Sequence, residues 1–212
     1  LVPAIAGAQG FNAVYSRDGL DVWAVGSGGT VYRSMDRGST WSNSALGSAP
    51  LNGVVARGHT VIIVAAGGTV YRSTDAGGNW TSQVQSGAPD LAAVALPTSL
   101  VGYIAGAGGV LLRTDDGGAA WSPQASGTLA RLNALAFSDA DNGYAVGAAG
   151  TILKTEDGGA VWTALSPGTT LDLLDVAAQG STIWAVGRRG TAVVSTDGGM
   201  NWTEKNLRWI PV

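Results

Sequence analysis

Short apolar runs alternate with glycine turns and polar stretches along the chain, and none of them carries the three- and four-residue apolar spacing of an amphipathic helix. The alternation is periodic. An apolar segment opens each unit (residues 11–16, 51–56, 91–96, 132–137 and 173–178), and a second apolar segment follows it. A tight turn then leads into a third segment, as at residues 61–66, Gly67-Gly68 and 69–74. The second turn position is glycine in every unit (Gly29, Gly68, Gly109, Gly150, Gly190), as expected where the backbone must adopt positive φ. A polar segment led by tryptophan closes each unit. The pattern predicts four antiparallel strands per unit.

Between the third and fourth segments the motif S/T-x-D-x-G-x-x-W occurs five times. Its aspartates are Asp36, Asp75, Asp116, Asp157 and Asp197, and its tryptophans Trp41, Trp80, Trp121, Trp162 and Trp202, at a period of 39 to 41 residues. Aspartate and Ser/Thr oxygens accept backbone N–H groups in a tight corner, glycine takes the special dihedral, and the indole covers the turn. Recurrence in every unit marks these residues as structural fasteners, because a catalytic group has no reason to be copied five times.

Four-stranded units repeating at about 40 residues predict a β-propeller, since solenoid repeats of that length are helical pairs. The expectation is all-β: a single five-bladed propeller with blades at residues 11–48, 49–88, 89–128, 129–169 and 170–207. The first strand of each blade lines the axis, and the ring closes as a monomer. The tails, residues 1–10 and 208–212, are expected to pair with or cover the edge where the first and last blades meet. The second strand repeats a large residue (Trp23, Ile62, Tyr103, Tyr144, Trp184) and, three positions on, a small one (Gly26, Ala65, Gly106, Gly147, Gly187), as wedge-shaped blades require.

Composition narrows function by exclusion. The chain has 212 residues, 45% hydrophobic and only 13% charged, with a formal net charge of −3, which supplies no general attraction for nucleic acid or an anionic membrane. No apolar run is long enough to span a bilayer. The absence of cysteine removes disulfides, thiolate zinc sites and a cysteine nucleophile, and the sequence is read as an extracytoplasmic (periplasmic, lumenal or secreted) protein.

The five corners resemble the Asp box of the bacterial neuraminidase repeat. The fuller string Leu132-Asn133-Ala134-Leu135-Ala136-Phe137, Asn142-Gly143-Tyr144-Ala145-Val146-Gly147, Gly150-Thr151-Ile152-Leu153-Lys154-Thr155-Glu156-Asp157-Gly158-Gly159 and Trp162 is most similar to the photosystem II stability and assembly factor family. That resemblance implies a propeller that binds other proteins during membrane-complex assembly on the lumenal or periplasmic side.

The other branch of the resemblance, the sialidases, implies an arginine triad, a Tyr–Glu pair and an early Arg-Ile-Pro segment. This chain offers only Arg208-Trp209-Ile210-Pro211, late and interrupted. The one histidine, His59, reads as a solvated turn residue, which leaves no histidine cluster for a metal. Asp139-Ala140-Asp141-Asn142-Gly143 lacks the later glutamate of a calcium loop and reads as an Asx-rich turn. No cofactor is implied.

Binding is therefore sought on the rim. The inter-blade loops and the turns between second and third strands are expected on one face, with Arg131, Arg188, Arg189, Asp90, Asp172 and Trp209. Arg188-Arg189 departs from the Gly, Ala and Ser of the other turns. Asn12, Asn52 and Asn133 share one register of the inner strand and are candidates for the channel mouth. Arg33, Arg72, Arg113 and Lys154, replaced by Val194 in the fifth blade, read as inter-blade contacts. The sequence thus points to a non-catalytic scaffold for a protein partner, with a glycan-binding propeller as the alternative and a sialidase-type hydrolase behind both.

Overall fold

The computed structural model describes residues 10–85, 87 and 90–206. Five four-stranded antiparallel sheets follow one another along the chain, each in the simple order first, second, third, fourth strand. In blade one these are Phe11–Ser16, Val22–Gly26, Thr30–Ser34 and Ser42–Ala45; the opening strands of blades two to five are Leu51–Arg57, Leu91–Ala95, Leu132–Phe137 and Leu173–Gln179. The fold is the all-β propeller of five blades that the repeat predicts, and the opening strands surround a channel of about 490 Å3.

The turn between second and third strands is one 3-10 turn in each blade: Ser27–Gly29, Ala66–Gly68, Ala107–Gly109, Ala148–Gly150 and Arg188–Gly190. Its last two residues lie at positive φ in all five, and the final glycine is obligatory for a second reason. A Cβ on Gly29, Gly109 or Gly150 would collide with the carbonyl of Gly47, Thr128 or Thr169 in the loop leading to the next blade.

The alternation of large and small residues on the second strand explains the packing. Gly106, Gly147 and Gly187 let the backbone press against the carbonyls of Asp90, Arg131 and Asp172, just before each opening strand. The large residue crosses to the next blade and lies on its corner glycine. A Cβ on Gly77 would fall 2.6 Å from the Trp23 ring, and one on Gly118 or Gly159 would fall 2.5 Å from Ile62 or Tyr103. Four apolar clusters result, each shared between neighbouring blades.

The predicted cationic row does tie blades together. Arg33 donates to the Ala76 carbonyl at 2.7 Å, Arg72 to Gly117 at 2.8 Å and Arg113 to Gly158 at 2.8 Å. Lys154 instead pairs with Glu156 within its own blade.

Closure of the ring, expected from the sequence, is not made by the described residues. Trp184 holds the register of Trp23 and Tyr103 but is 42% exposed, where those two are buried, and nothing of blade one covers it. On the other side Gly38, the counterpart of Gly77, has only its own Trp41 within reach. Among the described residues the first and last blades do not make the junction that the other neighbours make. The physical reason is that each junction fixes the rotation of one blade on the next, so whether five such steps close is a sum over the assembly that no single repeat encodes. The expectation that the tails meet this edge, and Trp209 with it, falls outside the described residues.

Candidate functional site

Each corner is a closed hydrogen-bond circuit. In blade two, Ser73 Oγ donates to Asp75 Oδ1 at 2.8 Å and accepts from Gly77 N, while Asp75 accepts from Asn79 N at 2.8 Å and Asn79 Nδ2 at 2.7 Å. The hydroxyl and backbone bonds recur around Asp36, Asp116, Asp157 and Asp197, and the side-chain donor recurs at Asp36 from Thr40 and at Asp197 from Asn201. Hydrogen bonds to the ionised form hold Asp36, Asp75 and Asp197 at a pKa of about 2, the leading contributions coming from Thr40, Asn79 and Asn201. Asp116 and Asp157 are lowered for the same reason, chiefly by the N–H groups of Ala120 and Val161. These carboxylates are committed to their turns as permanent anions, which suits a fastener and not a proton donor.

The opposite rim carries the turns and inter-blade loops together, as hydrogen bonds from Ser27 N to Gly10 O, Ala107 N to Asp90 O, Ala148 N to Arg131 O and Arg188 N to Asp172 O show. Among its predicted residues, four converge on the junction of blades four and five. Asp172 Oδ2 accepts from Arg188 Nε at 3.0 Å while its Oδ1 accepts from Ala149 N at 3.0 Å, so one carboxylate clamps both turns. Arg131 Nε donates to Asn133 Oδ1 at 3.1 Å, and Asn133 Nδ2 donates to Leu173 O at 2.7 Å, beside Asp172. Arg131, Asn133, Asp172 and Arg188 thus form one polar path across the junction.

Arg189 completes this edge in a conformation that costs energy. Its φ is 58°, in the left-handed region, at the position filled by Gly28, Gly67, Gly108 and Ala149 in the other blades. A residue with a Cβ pays roughly 1 kcal/mol to stay there. The side chain is exposed, and Arg188, although paired, keeps 67% of its side-chain surface open to solvent. Two guanidinium groups therefore project from a rigid turn into solvent.

Asn12 and Asn52 lie elsewhere. Asn12 Nδ2 donates to Leu51 O at 2.9 Å and Asn52 Nδ2 to Leu91 O at 2.7 Å, so these amides staple blade one to two and blade two to three along the channel wall. Asp90 plays the clamp at the second turn, accepting Gly67 N at 2.8 Å, without an arginine beside it. The staple was missed at the sequence level, although its signal was present: an asparagine at one register in the opening strands of blades one, two and four.

Among the described residues no group of three His, Cys, Asp or Glu converges on a possible metal site. A hollow of about 780 Å3 between blades four and five, on the corner rim, is lined by Tyr144, Lys154, Glu156, Asp157, Asp197 and Met200. Its box carboxylates are bound within their own corners, and Lys154 pairs with Glu156 at 2.5 Å. Among the described residues exposed aromatics do not repeat at one register of the rim; Phe11 in blade one and Trp184 in blade five stand out. No described helix is long and apolar enough to cross a membrane.

Sheets, corners and junctions together define an Asp-box, or bacterial neuraminidase repeat, β-propeller. The family model described as photosynthesis system II assembly factor YCF48 matches residues 124–209, the last part of the chain. A solved structure of YCF48 bound to D1 peptide superposes with a TM-score of 0.67 at 18% identity, over 94% of this chain and 81% of the other. YCF48 from Cyanidioschyzon merolae superposes at 0.52 with 18% identity, over 97% and 88%. A family GH74 xyloglucanase from Xanthomonas campestris gives 0.73 at 18% identity over 92% of this chain, which spans only 38% of that enzyme. At such identities these likenesses show the fold. Comparison with curated proteins gives no match.

Proposed function

We propose that this propeller is a non-catalytic scaffold that binds a protein partner through the rim around Arg188 and Arg189, in an extracytoplasmic compartment. The observation that carries the reading is Arg189. A side chain held at left-handed φ, in a turn where the other blades use glycine or alanine, is retained against a conformational cost and presents its charge to solvent. Arg188 is oriented by Asp172, and Arg131 lies on the same junction, so the edge offers a positively charged, preorganised surface on a protein of net charge −3. An acidic or carboxylate-bearing peptide segment fits that chemistry. The solved YCF48 complex with D1 peptide supports the reading, in that a propeller of this kind holds a peptide.

The test is partner recovery from host extract with the wild type, with Arg188→Glu/Arg189→Glu, and with Arg17→Glu as a control in the loop after the first strand of blade one. The paired reversal is expected to abolish recovery while Arg17→Glu leaves it intact. Equal recovery by all three proteins removes the proposed face.

A further inference from the structure

The channel has two unlike mouths. On the arginine rim it is edged by the Asn12, Asn52 and Asn133 amides, each of which donates to the next blade. Between the mouths it is apolar: Val14, Val54, Val94 and Leu135 hold one register of the opening strands, opposite Ala24, Ile63, Ile104 and Ala145 of the second strands. On the corner rim it opens into a hollow of about 410 Å3, which shares Val94 and Leu135 with the channel and adds Tyr15, Val55, Arg57 and Leu96. A strand of six residues rises about 20 Å, so the channel has the length to take an extended chain end-on from this hollow.

Two polar side chains stand in this apolar wall with donors to spare. Arg57 is half-buried and forms no ion pair among the described residues. Its Nη1 donates to Leu96 O at 3.1 Å, which leaves Nε and Nη2 without an acceptor among those residues. The half-buried Tyr15 hydroxyl likewise has no hydrogen-bond partner among the described residues. Burial pushes its pKa above the ordinary tyrosine range, against the opposing pull of Arg17 and Arg57, so it is a proton donor at neutral pH. Asp139, the carboxylate that lines the hollow, is bound into its own loop by Asp141 N at 2.9 Å, Asn142 N at 2.7 Å and Asn142 Nδ2 at 3.0 Å. The mouth therefore suits an anionic group on an apolar body.

We propose that the corner-side mouth binds a medium-chain aliphatic carboxylate, its head held by Arg57 and Tyr15 and its chain extended into the channel past Val94 and Leu135. The head forms a charge-assisted pair in a partly desolvated place, and each methylene buried in the channel strengthens binding about fourfold. The site lies on the rim opposite Arg188 and Arg189 and does not rest on the proposed function.

Equilibrium dialysis of the full chain against octanoate, hexanoate and octanol, with inorganic phosphate as competitor, tests it. Octanoate is expected to bind one-to-one and roughly tenfold more tightly than hexanoate, with octanol weaker than octanoate and phosphate unable to displace it. Arg57→Gln is expected to weaken octanoate about tenfold and to leave octanol unchanged. Because Arg57 also ties blade two to blade three, Tyr15→Phe carries the test if Arg57→Gln does not fold. It removes only a hydroxyl and is expected to weaken octanoate about fivefold, again without effect on octanol. Val14→Asp, at an exposed position of the channel wall, is expected to abolish octanoate binding by setting a second anion beside the chain. No octanoate binding, octanol held as tightly as octanoate, displacement by phosphate, or wild-type octanoate affinity in either Tyr15→Phe or Val14→Asp overturns the site.

Discussion

Ile62 of blade two lies against Gly118 of blade three so closely that a Cβ on the glycine would sit 2.5 Å from Ile62 Cδ1. The corner glycine therefore serves two purposes, a backbone at φ +84° and a seat for the neighbouring blade. Gly38 separates them, since its φ is +85° but its nearest neighbour is Trp41 at 3.6 Å. Gly118→Ala is expected to cost about 1–3 kcal/mol more than Gly38→Ala, the excess being the overpacked junction. Urea unfolding measures both. Equal losses would mean that the backbone alone demands the glycine.

Acid should open the corners late. The Asp36, Asp75 and Asp197 carboxylates have folded-state pKa values of about 2, lowered from 3.8. A lowered folded pKa contributes stability that is complete above the unfolded value and disappears as pH falls through the folded one, here between about pH 4 and pH 2. Thermal midpoints are expected to be flat from neutrality to about pH 5 and to fall steeply below about pH 4. In Asp75→Asn the acid-dependent drop should shrink and the midpoint at neutral pH should be lower. A midpoint that declines mainly above pH 5 would rule out the carboxylates as the titrating fasteners.

Arg189→Gly should raise stability while weakening partner recovery. Removing the Cβ at φ 58° releases roughly 1 kcal/mol, or about 2–4 °C in thermal midpoint for a chain of this size. Ala149→Gly, at φ 53° in the preceding blade, should stabilise similarly and leave recovery unchanged. Loss of recovery in both variants would point to the turn backbone instead of the guanidinium.

The amide staples predict a junction-specific effect. Asn52→Ala leaves the Leu91 carbonyl without the donor now 2.7 Å away and should cost about 1 kcal/mol. Hydrogen exchange is expected to rise in residues 51–57 and 91–95, with blades four and five unaffected. A uniform rise across the chain would show that the staple does not act locally.

The repeated elements were legible in the sequence because each is decided within one unit. Glycine at 29, 68, 109, 150 and 190 answers a positive φ, the Asp36 and Asp75 circuits close within a few residues, and alternation of apolar residues sets strand faces. The rim was readable too, since Arg188 and Arg189 break a pattern the other turns keep. Their meaning was less so: the Asp172 clamp and the Asn133–Leu173 bond join residues 16 to 40 apart, and only packed blades bring them together.

Alone, the order of residues determined the blade, its corner and its count, because these depend on local dihedrals and hydrogen bonds repeated five times. Only the tertiary structure decided that, among the described residues, Trp184 stays uncovered where Trp23 and Tyr103 are buried. Closure depends on the accumulated rotation of four junctions, set by how Trp23, Ile62, Tyr103 and Tyr144 seat on the blades that follow, and an angle of that kind exists only between packed surfaces.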